Sequence, residues 1–242
     1  MNKESFINHA KAWEFTEGHE RDRESGIVAE ARTRAAEAGL PQSSAAQGAM
    51  VDTLLALVGA SSAIVVGTDV LVETAQIIEG FERFSPSASL HGTIGVTGPH
   101  SSVARVTTVD SSPQGIAEVR RFFNAVGNRT SAILRAVNAD PRVYLTRLNA
   151  DDYDLLLVSG DPDNYTASFA AAPRLLHRGG VLVFTDVLAM GDDASSEGVV
   201  NAADRSAKAV AMRALLDAVE DDERFSTALL PVGSGILVAA LR

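Results

Sequence analysis

From Ser62 onward the chain repeats one rhythm five times: a short apolar run, then an amphipathic stretch. The runs are AIVVG, ARVTTVD, SAILRAV, DYDLLLVSG and VLVFTDVL. Each is short, rich in β-branched residues and bounded by Gly, Asp or Ser, as a buried strand would be. The stretches after the first four are VLVETAQIIEGF, PQGIAEVRRFFNAVG, DPRVYLTRL and YTASFAAAPRLLHRGG, which read as helices, the last closed by Gly179. Strict alternation of strand and helix specifies a parallel sheet with helices on both faces. A long helix, AADRSAKAVAMRALLDAVED, comes next. FSTALLPV and GILVAALR then form two strands joined across Gly233-Ser234-Gly235, which predicts a hairpin and an antiparallel strand at one side of the sheet.

Before Ser62 the pattern is helical. Phe6, Ala10 and Trp13 recur at three- and four-residue spacing, as do Ile27, Val28, Ala31, Ala35 and Ala38, until Gly39 and Pro41 stop the helix. A second helix is expected over about Gln47 to Val58. The insert SPSASLHGTIGVTGPHSS reads as loop, with a short strand at Thr93–Val96. The chain is therefore read as one α/β domain, with residues 1–60 a helical cover and 61–242 the core.

Composition narrows the partners. Lys+Arg is 21 against Asp+Glu 31, a net charge of −10. Capture of a nucleic-acid backbone or an anionic membrane needs clustered cations, so neither is expected. There is no Cys, which removes thiolate chemistry and Cys-ligated zinc. The charged first 25 residues lack the apolar core of a signal peptide, so a cytoplasmic location is expected.

In an open α/β sheet, ligands sit at the carboxyl ends of the strands, near the point where strand order reverses. Those exits are Gly67-Thr68-Asp69, Asp110-Ser111-Ser112, Asn138-Ala139-Asp140, Ser159-Gly160-Asp161 and Thr185-Asp186. A carboxylate after the second strand, here Asp110, can accept two hydrogen bonds from a ribose diol; Asp is also a common helix N-cap. The first exit lacks G-x-G-x-x-G, which argues against a nicotinamide or flavin dinucleotide. His91 and His100 fall in the irregular insert, where either could serve as a base if the loop folded over the site.

Taken in order, VVGTD, TTVDSS, NADPRVYLTRL, YDLLLVSGDPDNY, LLHRGGVLVFTDVL and LLPVGSGILVA resemble the strand exits of the small bacterial catechol O-methyltransferase-like enzymes, class I S-adenosylmethionine (SAM)-dependent O-methyltransferases. The resemblance runs from about Gly48 to Arg242. It implies a Rossmann-like methyltransferase fold: a mostly parallel seven-stranded sheet with a C-terminal antiparallel hairpin and an N-terminal helical extension. It implies SAM as cofactor, a small-molecule hydroxyl as acceptor and a homodimer. By position, Gly67, Thr68, Asp69, Asp110, Ser111, Asp140 and Ser159 would bind the cofactor, and Asp161 and Asp186 would flank the acceptor.

The departures from that family matter. Val65 stands where the family has Glu, and Asp69 and Leu71 stand where it has Gly, so both are expected to crowd the cofactor. The family's divalent-metal ligands fall on Ser159, Thr185 and Asp186, a poor set for a hard cation, so no metal is expected. The family's Lys base falls on Pro162, which cannot move a proton. Two readings follow: a SAM-dependent O-methyltransferase, or an inactive relative serving as a dimeric binding module.

Overall fold

The computed structural model describes residues 3–84, 103–190 and 197–242. Three helices come first, α1 (Lys3–Arg21), α2 (Gly26–Ala38) and α3 (Ala45–Val58). The core follows as β1 (Ser62–Gly67), α4 (Leu71–Phe84), β2 (Arg105–Asp110), α5 (Pro113–Val126), β3 (Ile133–Asn138), α6 (Pro141–Tyr144) and β4 (Tyr153–Val158). It ends with α7 (Pro162–Leu175), β5 (Leu176–Thr185), α8 (Ala207–Glu220), β6 (Phe225–Leu230) and β7 (Ile236–Leu241). The seven strands lie in the order β3-β2-β1-β4-β5-β7-β6. Strands β1 to β5 are mutually parallel, and β7 runs antiparallel to both β5 and β6. The expected sheet, its hairpin and its helical extension are all present.

Successive strand residues point to opposite faces. Ala63 and Val65 of β1 therefore join a core with α2 to α5, while Ile64 and Val66 join the opposite core with α7 and α8. Helix α4 is buried on every side from Leu71 to Phe81, because α2 and α3 cover the face that the sheet does not. Its polar residues have dedicated partners: the Gln76 side-chain amide donates to Ser44 O at 3.1 Å, and Glu79 accepts from the Ser25 amide at 3.0 Å. The side-chain amide of Gln47 in α3 donates to the carbonyls of Val232 and Gly235, tying the cover to the β6–β7 turn.

Two expectations need correction. The first forty residues form two helices, not one. Ser25 turns the chain and caps α2, its hydroxyl accepting from Ile27 N at 3.2 Å. Trp13, read as part of an apolar stripe, is half exposed at 50%. Helix α7 ends at Leu175, before His177-Arg178-Gly179-Gly180, and β5 already begins at Leu176. Leu176 pairs with Tyr153 and Val181 with Leu155, so the ladder shifts register between them. Gly179, at φ 83°, supplies the left-handed backbone that this irregularity needs. The strand expected at Thr93–Val96 lies outside the described residues.

Candidate active site

The connection after β1 leads toward β2, and that after β4 leads toward β5, so the crevice of this sheet opens between the ends of β1 and β4. Gly67 makes the turn there. A Cβ on it would fall 2.1 Å from Val70 Cγ1 and 3.0 Å from Ser159 O. Asp69 follows with φ 60°, a left-handed conformation that glycine adopts more readily. Leu71, expected to crowd a ligand, is fully buried in the core with Val65. Asp69, by contrast, is only partly buried, and its Oδ1 lies against Gly115 at the start of α5.

A polar chain links the exits of β1, β2 and β4. Thr68 Oγ1 lies 3.3 Å from Ser111 Oγ, donates to Asp161 Oδ2 at 2.9 Å and accepts from the Asn164 side-chain amide at 3.0 Å. The same amide donates to Ser159 O at 3.0 Å. These contacts draw Thr68, Ser111, Ser159 and Asp161 into one cluster.

Asp110 lies beneath this chain with no exposed surface. Its carboxylate accepts from Ser112 N at 2.7 Å and Val70 N at 3.3 Å. Burial pushes its pKa up to about 6, and the neighbouring Asp69 charge adds to the rise. A Cβ on Gly115 would meet both Asp110 Oδ2 and Asp69 Oδ1, which places the two carboxylates side by side against the start of α5. Glu73, in the first turn of α4, is another buried acid. Its Oε1 accepts from Ser159 Oγ at 3.2 Å, and burial pushes its pKa up to about 7. Asp69 Oδ1 and Glu73 Oε2 are buried without a hydrogen-bond partner.

The remaining candidates lie farther out along the sheet. Asp140 follows β3, at the sheet edge. It caps α6 by accepting from Arg142 N at 2.8 Å and pairs with the Arg142 guanidinium at 2.7 Å, which holds its carboxyl below the usual range. Asp186 follows β5, beyond β4. It has φ 56° and pairs with Lys208 Nζ from the first turn of α8. That ammonium lies 6.0 Å from the centre of the Tyr165 ring, and the Tyr165 hydroxyl donates to Thr185 O at 2.8 Å. His91 and His100 lie outside the described residues.

The three positions that the resemblance assigns to a divalent cation do not fit one. Ser159 Oγ is turned inward onto Glu73, Thr185 Oγ1 donates to Val158 O at 3.2 Å, and Asp186 already faces an ammonium. Hard cations require several oxygens converging on one point.

Glu73 and Lys208 escaped the sequence reading. The signal for Glu73 was a lone acid inside the apolar run VLVETAQII. For Lys208 it was a cation in the first turn after the capping residue Ser206.

Residues 101–241 match the family model described as O-methyltransferase. A Mycobacterium ulcerans protein assigned to the O-methyltransferases is 30% identical over 216 residues, 89% of this chain and 85% of the relative. One from Mycobacterium avium is 29% identical over 236 residues, covering 98% and 91%. The O-methyltransferase of Bacillus cereus, solved with S-adenosylhomocysteine (SAH), superposes with a TM-score of 0.72 at 19% identity, covering 96% of this chain and 99% of that one. A match over more than half the chain, together with these relatives, agrees with the strand exits: the chain belongs to the O-methyltransferase family.

Proposed function

We propose that the chain transfers a methyl group from SAM to a hydroxyl of a small molecule. The observation that carries this reading is a set of carboxylates at the exits of β1 and β2 and in the first turn of α4, with buried oxygens. Asp69 Oδ1 and Glu73 Oε2 lack donors, and Asp110 lies beside them. Buried acceptors are costly unless a donor reaches them. The cofactor's ribose hydroxyls and ammonium are such donors, and its sulfonium is a cation suited to an acidic crevice. The Bacillus cereus enzyme was solved with the demethylated form of the same compound.

When bound, SAM supplies an electrophilic methyl group on sulfur. In this reading Asp110 accepts from the ribose hydroxyls. That requires the Asp69–Val70 turn to lift, since Asp110 has no exposed surface. Gly67 and Thr68 form the floor, held by Asp161 and Asn164, while Ser111, Asp140 and Ser159 border the cofactor. Asp161 and Asp186 flank the acceptor. Holding the two reactants in line is the main catalytic contribution available to this constellation.

A homodimer is part of the same proposal. Phe15 and Leu57, 72% and 77% exposed on α1 and α3, are apolar surface for a second copy, and light scattering on the purified chain tests that state. Calorimetric titration with SAM and SAH tests the cofactor. Saturable heat supports the reading, and its absence at millimolar ligand sinks it.

A further inference from the structure

Helix α3, AAQGAMVDTLLALV, has one charged residue, Asp52, and it is turned away from water. Asp52 is 8% exposed and lies against α4. The two helices approach too closely for side chains at their glycines. A Cβ on Gly48 would fall 2.4 Å from Gln76 Nε2, and one on Gly80 would fall 2.8 Å from Asp52 Oδ1. Asp52 Oδ1 is buried with no hydrogen-bond partner among the described residues. Oδ2 lies 3.6 Å from Arg83 Nε, beyond hydrogen-bond distance. An ionised carboxylate so placed is costly, and a protonated one is much less so.

The charges around Asp52 are paired with one another. A cavity of about 20 Å³ beside it is lined by Glu20 from α1, Arg23 and Glu24 from the α1–α2 connection, and Glu79 and Arg83 from α4. Arg23 pairs with Glu20 at 3.1 Å, and Glu24 with Arg32 of α2 at 2.5 Å. Arg83 donates to Glu79 Oε1 from Nε at 3.0 Å and to Arg23 O at 3.0 Å. The cleft thus sets two carboxylates, Asp52 and Glu79, against one guanidinium that Glu79 already holds. Burial pushes the Asp52 pKa up to about 7; the Glu79 charge adds to the rise and the Arg83 charge opposes it.

We propose that Asp52 is a proton-operated latch between the helical cover and the core. Protonated, it lets α3 close on α4; ionised beside Glu79, it favours the lifting of α3. The sign follows from linkage. An Asp52 lifted into water has the ordinary value of 3.8, so the closed form holds the proton more tightly. Opening therefore becomes easier as pH rises from about 4 to about 7, by about tenfold per unit, and levels off above that. The helix that the latch releases also carries Glu73, beneath the crevice floor. Proton release at the cover is thereby coupled to the support of the crevice, whatever the crevice binds.

Hydrogen exchange of the full-length protein tests the latch, read by mass spectrometry from about pH 5 to about pH 8 and corrected for the intrinsic rate. Amides of α3 are expected to exchange through a local opening, faster than those of β1 and β4. That opening should grow about tenfold per unit up to about pH 7 and then flatten. Asp52→Asn should flatten the whole profile, because an amide does not titrate. Arg83→Met should move the plateau to higher pH, because the two carboxylates lose their one cation. Glu73→Gln, which removes another buried titration on α4, should keep a slope. Circular dichroism checks that each variant is folded. A flat wild-type profile, a slope that survives in Asp52→Asn, or α3 exchanging only together with β1 and β4 would each overturn the proposal. Should Asp52→Asn not fold, an unmoved plateau in Arg83→Met overturns it instead.

Discussion

Ser159 Oγ donates to Glu73 Oε1 at 3.2 Å, so the hydroxyl at the exit of β4 faces a carboxylate beneath the crevice floor. Glu73 is fully buried with its pKa pushed up to about 7, above its ordinary 4.5. The folded state therefore holds this proton longer than the unfolded state does. Stability should fall as pH rises from about 4.5 to about 7 and level off above that. Glu73→Gln removes the titration. Between about pH 5 and pH 8, thermal unfolding of the variant should improve relative to wild type by about 2 kcal/mol. Parallel pH profiles for the two proteins would refute the buried titration.

If Asp110 holds the cofactor as proposed, affinity should be sensitive to pH at this residue's own, lower value. Below about pH 6 its carboxyl takes up a proton and loses acceptor capacity. SAH affinity should weaken about tenfold per pH unit below that point and be flat just above it. Asp110→Asn should cost at least about tenfold at neutral pH and abolish this dependence, as read by calorimetry. Wild-type affinity retained in Asp110→Asn would remove Asp110 from the binding set.

Gly115 has no room for a side chain. A Cβ there would fall 2.5 Å from Asp110 Oδ2, 2.6 Å from Asp69 Oδ1 and 2.9 Å from Asp69 Cα. Gly115→Ala should displace both carboxylates, cost about 1–3 kcal/mol of stability and weaken SAH binding. Gly18, inside α1 with nothing within 4 Å of its Cβ position, is the control. Gly18→Ala should stabilise by about 0.5–1 kcal/mol and leave binding unchanged. Equal effects on chemical denaturation at the two sites would contradict the geometry.

Asp154 belongs to the opposite, amino end of the sheet. It accepts from Ser61 N at 2.8 Å, Ser62 N at 2.7 Å and Ser62 Oγ at 2.8 Å, and it pairs with His177. Burial works to raise its pKa, but these bonds outweigh it and hold the carboxyl below 3.8. This acid's contribution is therefore fully present above about pH 4 and lost as pH falls through its depressed pKa. Asp154→Asn should destabilise by about 1–3 kcal/mol at neutral pH, less in strong acid, with SAH affinity intact. A binding defect in this variant would show that the two ends of the sheet are coupled.

The fold was legible because β-branched runs such as AIVVG and VLVFTDVL have the length and spacing that only a parallel α/β sheet accommodates. The boundary of β5 was not. Nothing in LLHRGG announces that Leu176 pairs with Tyr153 across a register shift, since that is a tertiary pairing and not a local preference. Strand-exit logic picked out Asp110, Thr68 and Asp161 because topology fixes where strands end. It could not foresee that Leu71 would turn inward, because side-chain direction in a turn depends on what α4 packs against. Lys208 was hidden for the opposite reason: it lies 22 residues from Asp186 along the chain and meets it only after α8 docks.

Helix α4 reaches from one functional layer to the other. Its first turn puts Glu73 under the crevice, while Gln76 and Glu79 receive hydrogen bonds from, or give them to, the cover. The first sixty residues are therefore not a detachable lid. Removing them would expose a helix that is buried from Leu71 to Phe81, strip Gln76 and Glu79 of their partners, and unseat the beam on which the crevice floor rests. Any sequence drift in the cover has to keep faith with α4 before it can retune what the crevice accepts.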